Sequence, residues 1–241
     1  MFFRPLLGVT VATALLFAFL LGLGVWQLQR LHWKLALIEQ VNRNMQAPPV
    51  ALDARGLPYR ETDSEYLHVS LAGRFDNSKE AYIYGIGPEG GPVYHVVVPF
   101  TLRGGGIFLV DRGIVPRDMR NPATRPSGIR NGDTTVTGVW RWAEAAGPFT
   151  PKADLAHRVW YFRDVAGIAQ ADGVRLAALA LIEADATPNP GGWPRGGQTV
   201  VTFRNEHLQY AITWFLMAAA LLGVYLAFHV SRGRLGLKPR D

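Results

Sequence analysis

Two stretches of this chain are uncharged and apolar over lengths that are typical of membrane spans. Pro5 to Leu28 is a run of 24 residues, and Leu208 to Phe228 a run of 21, without Asp, Glu, Lys, Arg or His. At 1.5 Å of rise per residue they would form helices of about 36 and 31 Å, and the hydrocarbon core of a bilayer is about 30 Å thick. The sequence therefore excludes a purely soluble protein and predicts two transmembrane helices, at 5–28 and 207–230.

Two spans place both termini on one side of the membrane and the region between them on the other. The C-terminal segment 231–241 is densely basic and Arg4 precedes the first span, and basic residues near spans stay on the cytoplasmic side. We therefore expect cytoplasmic termini and a periplasmic domain in the inner membrane of a bacterium, since no Arg- and Ser-rich transit peptide precedes the first span. The alternative is a cleaved signal peptide at the N-terminus. The length of the apolar run and the absence of a clear small-x-small cleavage site favour an uncleaved anchor.

The region between the spans begins with a helical pattern and then changes to a strand pattern. Apolar residues from Leu31 to Met45 recur every three or four positions, which predicts that the first helix extends past the bilayer over 29–48, up to the Pro48–Pro49 pair. Segment 49–206 then shows short apolar and β-branched runs separated by turn residues, which predicts a β-rich barrel or sandwich with one short helix at 164–171. The fold class is thus an α+β membrane protein. The predicted strands are 67–71, 81–84, 93–100, 107–110, 134–139, 159–162, 175–184 and 199–203, and the Pro- and Gly-rich segment 187–197 is expected to lead the chain back to the membrane.

Composition removes several classes of function. The chain has no cysteine, which excludes disulfides, thiolate zinc sites and iron–sulfur clusters. Its net charge of +6 lies mostly at the termini, because the region between the spans has 20 basic and 18 acidic residues, so we expect no nucleic-acid partner. The run GIGPEG at 85–90 matches a dinucleotide-binding fingerprint only formally, since it leads into an extended segment and not into a helix. There is no phosphate-binding loop and no serine nucleophile elbow.

The histidines are the strongest metal ligands left to a chain without cysteine, and His207 is the one placed for such a role. It opens the second span, and Tyr210, Ala211 and Trp214 follow at three, four and seven residues, so all four share one helix face. This face has the ingredients of a site for a flat apolar macrocycle such as haem, although a helix-end hydrogen bond is the more ordinary role. The other five histidines are interpreted as structural, solvated or interfacial: His32, His68, His95, His157 and His229.

Two arginines lie in apolar surroundings within the predicted domain. Arg112 and Arg163 are each expected to pair with a carboxylate, and Asp111, Asp164 and Glu206 are the candidate partners. The alternative is that one of the two guanidinium groups steers a haem propionate or an acidic group of a partner. The ion-pair interpretation is preferred.

A set of short motifs runs through the whole chain. The longest lies at the start of the second span, where a polar run meets aromatic residues. The motifs are GVWQLQR at 24–30, WK at 33–34, GRFD at 73–76, SKE at 78–80, PF at 99–100, VDRGIVP at 110–116, WYFRD at 160–164, GGQT at 196–199, RNEHLQY at 204–210 and TW at 213–214.

By these motifs the chain resembles the surfeit locus protein 1 family of cytochrome c oxidase assembly factors. The resemblance implies a non-enzymatic protein that binds haem a and aids its insertion into oxidase subunit I, with haem a synthase as a possible second partner. It implies that His207 ligates the haem iron, and we expect Trp26, Arg204, Tyr210 and Trp214 to complete the site. The alternative is a membrane scaffold that stabilises subunit I without binding haem. One departure is Asp111, where the family commonly has Asn.

Overall fold

The computed structural model describes residues 2–54, 64–201 and 203–236. The chain separates into two compact units, residues 1–39 with 202–241 and residues 40–201. We call the first unit the membrane hairpin and the second the sheet domain, and describe each by itself.

Helices α1 (Leu7–Gln46) and α3 (His207–Ser231) are both long and apolar enough to cross a membrane. Helix α1 has 40 residues, or about 60 Å, so it is about twice as long as a bilayer core requires. It continues without a break through both segments that the sequence predicts as helix. At the other end of the hairpin, strands β1 (Phe2–Phe3) and β10 (Leu235–Gly236) pair and close the two termini together.

One face of α1 packs against one face of α3. Leu20 and Gly24 are buried on α1, and Ala211 and Ala218 are buried on α3. A side-chain carbon at Gly24 would lie 2.5 Å from the Phe215 ring, so any larger residue there would require the ring to move. Small residues at such a contact are the usual way for membrane helices to pack closely. We call this contact the seam.

The observed burial along α1 differs from the predicted apolar stripe at one position. Leu35 is 49% exposed, whereas Lys34 is partly buried and its ammonium lies 4.9 Å from the centre of the Phe203 ring. Leu31 and Ile38 are partly buried, as predicted. The stem of a lysine can cover apolar surface while its charge remains accessible, which explains the exchange.

The sheet domain is an eight-stranded mixed sheet. Its elements are β2 Val50–Ala51, β3 His68–Phe75, β4 Ala81–Ile86, β5 Pro92–Leu102, β6 Ile107–Pro116, β7 Thr134–Trp142, β8 Val159–Trp160, β9 Ala180–Ala184 and helix α2 Val165–Asp172. The strand order is β2-β3-β7-β9-β6-β5-β4-β8, and an additional pairing of β3 with β5 closes a ring of five strands. The remaining strands extend this ring at β3 and β5. The sequence left a barrel and a sandwich open, and the closed ring is the barrel form.

Strand β6 shows how the sequence builds the core. Eight of its ten residues are buried, as expected of a central strand covered on both faces. Because successive side chains point to opposite faces, Phe108 and Val110 pack with Trp140 in one cluster, whereas Leu109 packs with Ile168 of α2 in another. Helix α2 is capped at its start by the Asp164 carboxylate, which accepts a hydrogen bond from Gly167 N–H at 2.8 Å.

Two glycine-rich segments form hairpin turns. The GIGPEG run lies at the turn between β4 and β5, so it leads into a strand, as the sequence predicts. The segment from Arg103 to Gly106 joins β5 to β6, and Gly105 and Gly106 adopt positive φ there.

Three of the predicted strands are wrong in whole or in part. Segment 159–162 is extended only at Val159–Trp160, because the chain then bends so that Asp164 N–H bonds the Phe162 carbonyl at 2.8 Å. Segment 175–184 is a strand only at Ala180–Ala184. Thr199 to Val201, together with Phe203, form no strand, and the Thr199 hydroxyl donates to the Glu183 carboxylate at 2.6 Å. β-branched residues favour strands only where a neighbouring edge is available, which is why the sequence overstated these runs.

The segment at 187–197, predicted to be a connector, packs on β6. The backbone groups of Arg195 and Ile114 exchange two hydrogen bonds of 2.9 Å each. Gly113 has φ near +108°, and a side-chain carbon there would lie 1.9 Å from the Arg195 carbonyl oxygen. The Arg-Gly pair of the VDRGIVP motif therefore needs glycine for this close approach.

Candidate functional site

His207 is the first residue of α3, and its ring is held from the opposite helix. Its Nδ1 atom lies 2.8 Å from Oε1 of Gln27 on α1. An amide oxygen can only accept, so in this arrangement Nδ1–H donates to Gln27, and in the neutral tautomer that fits this bond the lone pair lies on Nε2. Among the residues that the structure describes, Nε2 of this partly buried ring has no hydrogen-bond partner. The arrangement orients the imidazole and leaves Nε2 as the ring nitrogen that could ligate a metal.

Some residues of the predicted helix face around His207 lie in the seam, and others lie at the exposed surface. Ala211 is 1% exposed and Trp214 is partly buried, so both lie towards α1. Tyr210 is half-exposed. An apolar ring system near His207 would thus meet a small residue and an indole on one side and a phenol on the other.

Two of the predicted site residues do not lie in the seam. Trp26 is 51% exposed and occupies a different face of α1 from Gly24 and Gln27. The side chain of Arg204 is exposed, and its Nε pairs with the Glu206 carboxylate at 2.7 Å. Their expected contact with haem stays a prediction.

Sequence reasoning missed Gln27 as a site residue. The signal was present, because Leu20, Gly24, Gln27 and Leu31 are spaced by four, three and four residues. This spacing places the amide on the same face as the glycine of the seam. A lone polar residue on the packing face of a membrane helix indicates a polar partner on the neighbouring helix.

His229, at the far end of α3, is excluded as a ligand by its contacts. It is fully buried, its Nδ1 lies 3.0 Å from the Tyr225 carbonyl oxygen, and its Nε2 accepts from Leu6 N–H at 3.3 Å. Both ring nitrogens are therefore occupied. The hydroxyls of Thr10 and Tyr225 also bond, at 2.7 Å, so this end of the hairpin is fastened by structural hydrogen bonds.

In the sheet domain, Arg163 pairs with carboxylates, but not with the predicted ones. Its guanidinium bonds Glu144 at 2.7 Å and Glu183 at 2.8 Å. Glu183 also accepts two hydrogen bonds from Arg141, each of 3.0 Å. Glu183 thus sits between two arginines. The predicted ion pair is confirmed for Arg163, with partners contributed by β9 and by the segment after β7.

Arg112 contradicts the ion-pair prediction. Its side chain is buried, yet no carboxylate among the described residues lies within ion-pair distance. Burial lowers the pKa of its guanidinium to about 10. The predicted partner Asp111 instead bonds His95 at 2.7 Å and accepts from Gly113 N–H at 2.8 Å, because its side chain leaves the opposite face of β6 from that of Arg112.

His95 and Asp111 lie at a polar cavity of about 230 Å³ whose charged groups are satisfied by one another. The negative charge of Asp111 raises the pKa of His95 against the opposing effect of burial. No group of three or more His, Asp or Glu side chains suited to a metal ion occurs in the described ranges. Several described histidines have a bonded Nδ1 and an Nε2 without a partner, and His207 is the one of these whose ring lies at the seam of the membrane hairpin.

A model of the SURF1 family matches residues 14–219, which include Gln27, Arg112, Arg163 and His207. The chain belongs to the SURF1 family. It is 39% identical over 215 residues to "Surfeit locus protein 1" of Homo sapiens, covering 83% of this chain and 70% of that protein. It is 38% identical over 215 residues to the protein of that name from Xenopus tropicalis (83% and 68%), and 34% identical over 227 residues to that from Takifugu rubripes (88% and 92%).

The SURF1 match includes parts of both units of the structure. It begins within α1, continues through the whole sheet domain and ends within α3. The two helices and the sheet domain thus both belong to the family architecture. The side chains of the SURF1-family hairpin that meet across the seam, Gln27 and His207, lie inside the matched range.

Proposed function

We propose that this SURF1-family protein is an assembly factor for haem-copper cytochrome c oxidase that binds haem a and aids its insertion into oxidase subunit I. The observation that carries the proposal is the pairing of His207 Nδ1 with Gln27, which leaves Nε2 available as an axial ligand. A hydrogen bond to the second ring nitrogen is the usual support of a metal-ligating histidine. Family membership supplies the biological setting.

The exposure of the site suits a carrier. Tyr210 and Leu208 are half-exposed next to His207, so a bound macrocycle would remain open on one side. A carrier must give up its cargo, and single-histidine ligation at an open surface permits release more readily than a closed cage with two ligands. The proposed role is binding and transfer, without catalysis. The proposed partners are subunit I, haem a synthase and the lipid bilayer.

The proposed location is a bacterial inner membrane, with the sheet domain in the periplasm and both termini in the cytoplasm. The length and apolarity of the two helices support membrane insertion. The basic residues beyond α3 support the orientation.

The test is the visible spectrum of the full chain purified from cells that make haem a. We expect a haem spectrum from the wild type and its loss in His207→Ala, with the protein still inserted and folded. His32→Ala is the matched control, because His32 is on the same hairpin and its Nδ1 is also bonded, to the Leu28 carbonyl, but its side chain is exposed away from the seam. Normal haem content in a folded His207→Ala protein would overturn the ligand assignment and favour the scaffold without haem.

A further inference from the structure

A cavity of about 70 Å³ in the sheet domain is lined by two arginines, Arg112 and Arg130. The volume exceeds what one water molecule needs on the same measure, about 10–15 Å³. Phe75, Thr137 and Asp185 also line it.

Arg112 is fixed in place, but one of its donors is unused. The residue is 2% exposed, its Nη2 donates to the Gly128 carbonyl at 2.6 Å and to Asn189 Oδ1 at 3.2 Å, and its guanidinium carbon lies 4.8 Å from the centre of the Phe75 ring. Its Nη1 is buried and has no hydrogen-bond partner among the described residues. A buried guanidinium normally satisfies its donors, because leaving a charged donor without a partner is costly.

Arg130, on the same wall, also has unused capacity. Its Nε is buried and lacks a partner within the described part of the chain, and its two other nitrogens make long bonds, of 3.4 Å to the Thr134 hydroxyl and 3.3 Å to the Pro188 carbonyl. The cavity is therefore lined by two arginines, and each has a buried N–H donor for which the described residues provide no acceptor.

The acidic groups near this cavity are engaged elsewhere. Asp185 bonds His68 Nε2 at 2.9 Å, and Glu80 is bonded to the buried Arg125. Two guanidinium groups thus face one carboxylate that is already paired. The lining therefore carries a net positive charge, which attracts an anion.

We propose that this cavity binds an oxyanion, the phosphate or carboxylate group of a small ligand, between the guanidinium groups of Arg112 and Arg130. The planar fork of arginine matches the geometry of both groups and forms strong charge-assisted hydrogen bonds with them. The contacts of Arg112 with Gly128, Asn189 and Phe75 hold its guanidinium rigid before the ligand arrives. The site belongs to the sheet domain and does not depend on haem binding by the hairpin.

The experiment is calorimetric titration of the detergent-purified full chain with inorganic phosphate and, separately, with acetate. Chloride keeps the ionic strength constant. We expect saturable binding of at least one of the two anions. Phosphate alone would identify a phosphate ligand, acetate alone a carboxylate ligand, and each result supports the site.

Substitutions locate the binding. Arg130→Gln should weaken the affinity about tenfold or more, as expected for the loss of a charge-assisted hydrogen bond. Arg117→Gln removes the same charge from an exposed position and should leave the affinity unchanged. Arg112→Lys keeps the charge but not the fork and should also weaken binding. If Arg112→Lys fails to fold, the partly exposed Arg130 still provides the comparison. Absence of saturable binding by either anion, or equal affinity in Arg130→Gln and Arg117→Gln, would overturn the proposal.

Discussion

The imidazole of His207 and the amide of Gln27 meet across the membrane hairpin at 2.8 Å, although 180 residues separate them in the chain. The contact lies one turn from Gly24, where α1 and α3 approach so closely that a side-chain carbon would collide with Phe215. The glycine leaves room for Phe215 at the helix contact, and the amide of Gln27 then holds the imidazole ring through Nδ1.

This relationship predicts a graded effect of substitutions at Gln27. Gln27→Leu removes the acceptor and should weaken haem affinity by about 10- to 100-fold, the usual range for the loss of an outer-sphere partner of a metal-bound histidine. Gln27→Glu keeps an acceptor and should retain most of the affinity. The measurement is a haem titration followed by absorbance, with the exposed Gln29→Leu as control. Equal affinity in Gln27→Leu and Gln29→Leu would show that the amide does not support the ligand.

The two tryptophans predicted at the haem site should behave differently. Trp214 is partly buried on the face of α3 that contains Ala211, whereas Trp26 is half-exposed away from the seam. We expect Trp214→Ala to lower haem content clearly and Trp26→Ala to lower it less, as measured by haem per protein after purification. Unchanged haem content and oxidase maturation in Trp214→Ala would restrict this residue to anchoring at the membrane interface.

Much of the architecture could be predicted because it depends on local periodicity. The uncharged runs predicted both long helices. The short apolar and β-branched runs between turn residues predicted most of the strands, among them the strand that contains Phe108 and Val110. The short strand runs failed where the decisive factor was a distant partner: Thr199 bonds Glu183 instead of joining a strand edge. Local sequence does not specify such long-range contacts.

The candidate sites show the same limit. His207 was found from its position and motif, but its partner Gln27 depends on how the two helices pack. Arg112 was expected to have a carboxylate partner, yet the strand turns Asp111 towards His95. The strand register of the barrel decides whether Asp111 or Arg112 lies on the same face as His95.

Gly113 should tolerate no side chain. Its φ near +108° and the Arg195 carbonyl oxygen, 1.9 Å from where a side-chain carbon would lie, combine backbone strain with a clash against backbone. Gly113→Ala should lower the free energy of unfolding by about 2–5 kcal/mol. Gly104→Ala, at a turn position with nothing within 4 Å, should change it by less than about 0.5 kcal/mol. Denaturant melts of both variants make the comparison, and similar stabilities would contradict the docking of segment 187–197 on β6.

The orientation in the membrane is tested by reporter fusions. With the sheet domain in the periplasm, alkaline phosphatase joined after the exposed Asn131 should be active, and the same enzyme joined at Asp241 should be inactive. Neutralising the basic residues beyond α3 should weaken this asymmetry, because they provide most of the positive charge on that side. The reverse activity pattern would place the domain in the cytoplasm.

The pairing of His95 with Asp111 should make the stability of the sheet domain depend on pH. The charge of Asp111 raises the folded-state pKa of His95 above the ordinary value of 6.5, despite the opposing effect of burial. A group whose pKa is raised by folding binds its proton more tightly in the folded state. Its stabilising contribution is therefore complete below about pH 6.5 and is lost as the pH rises through the folded-state pKa.

His95→Gln cannot take up this proton, so the stability difference between wild type and variant should be largest in mild acid and shrink as the pH rises. Thermal melts of both proteins from about pH 5 to pH 9 measure this difference. Burial lowers the pKa of His68, but its hydrogen bonds to Asp185 and to the Ala47 carbonyl, together with the charge of Asp185, raise it overall; this contribution is common to both proteins and cancels. A constant difference between wild type and His95→Gln across this range would mean that the His95–Asp111 pair does not gain its proton on folding.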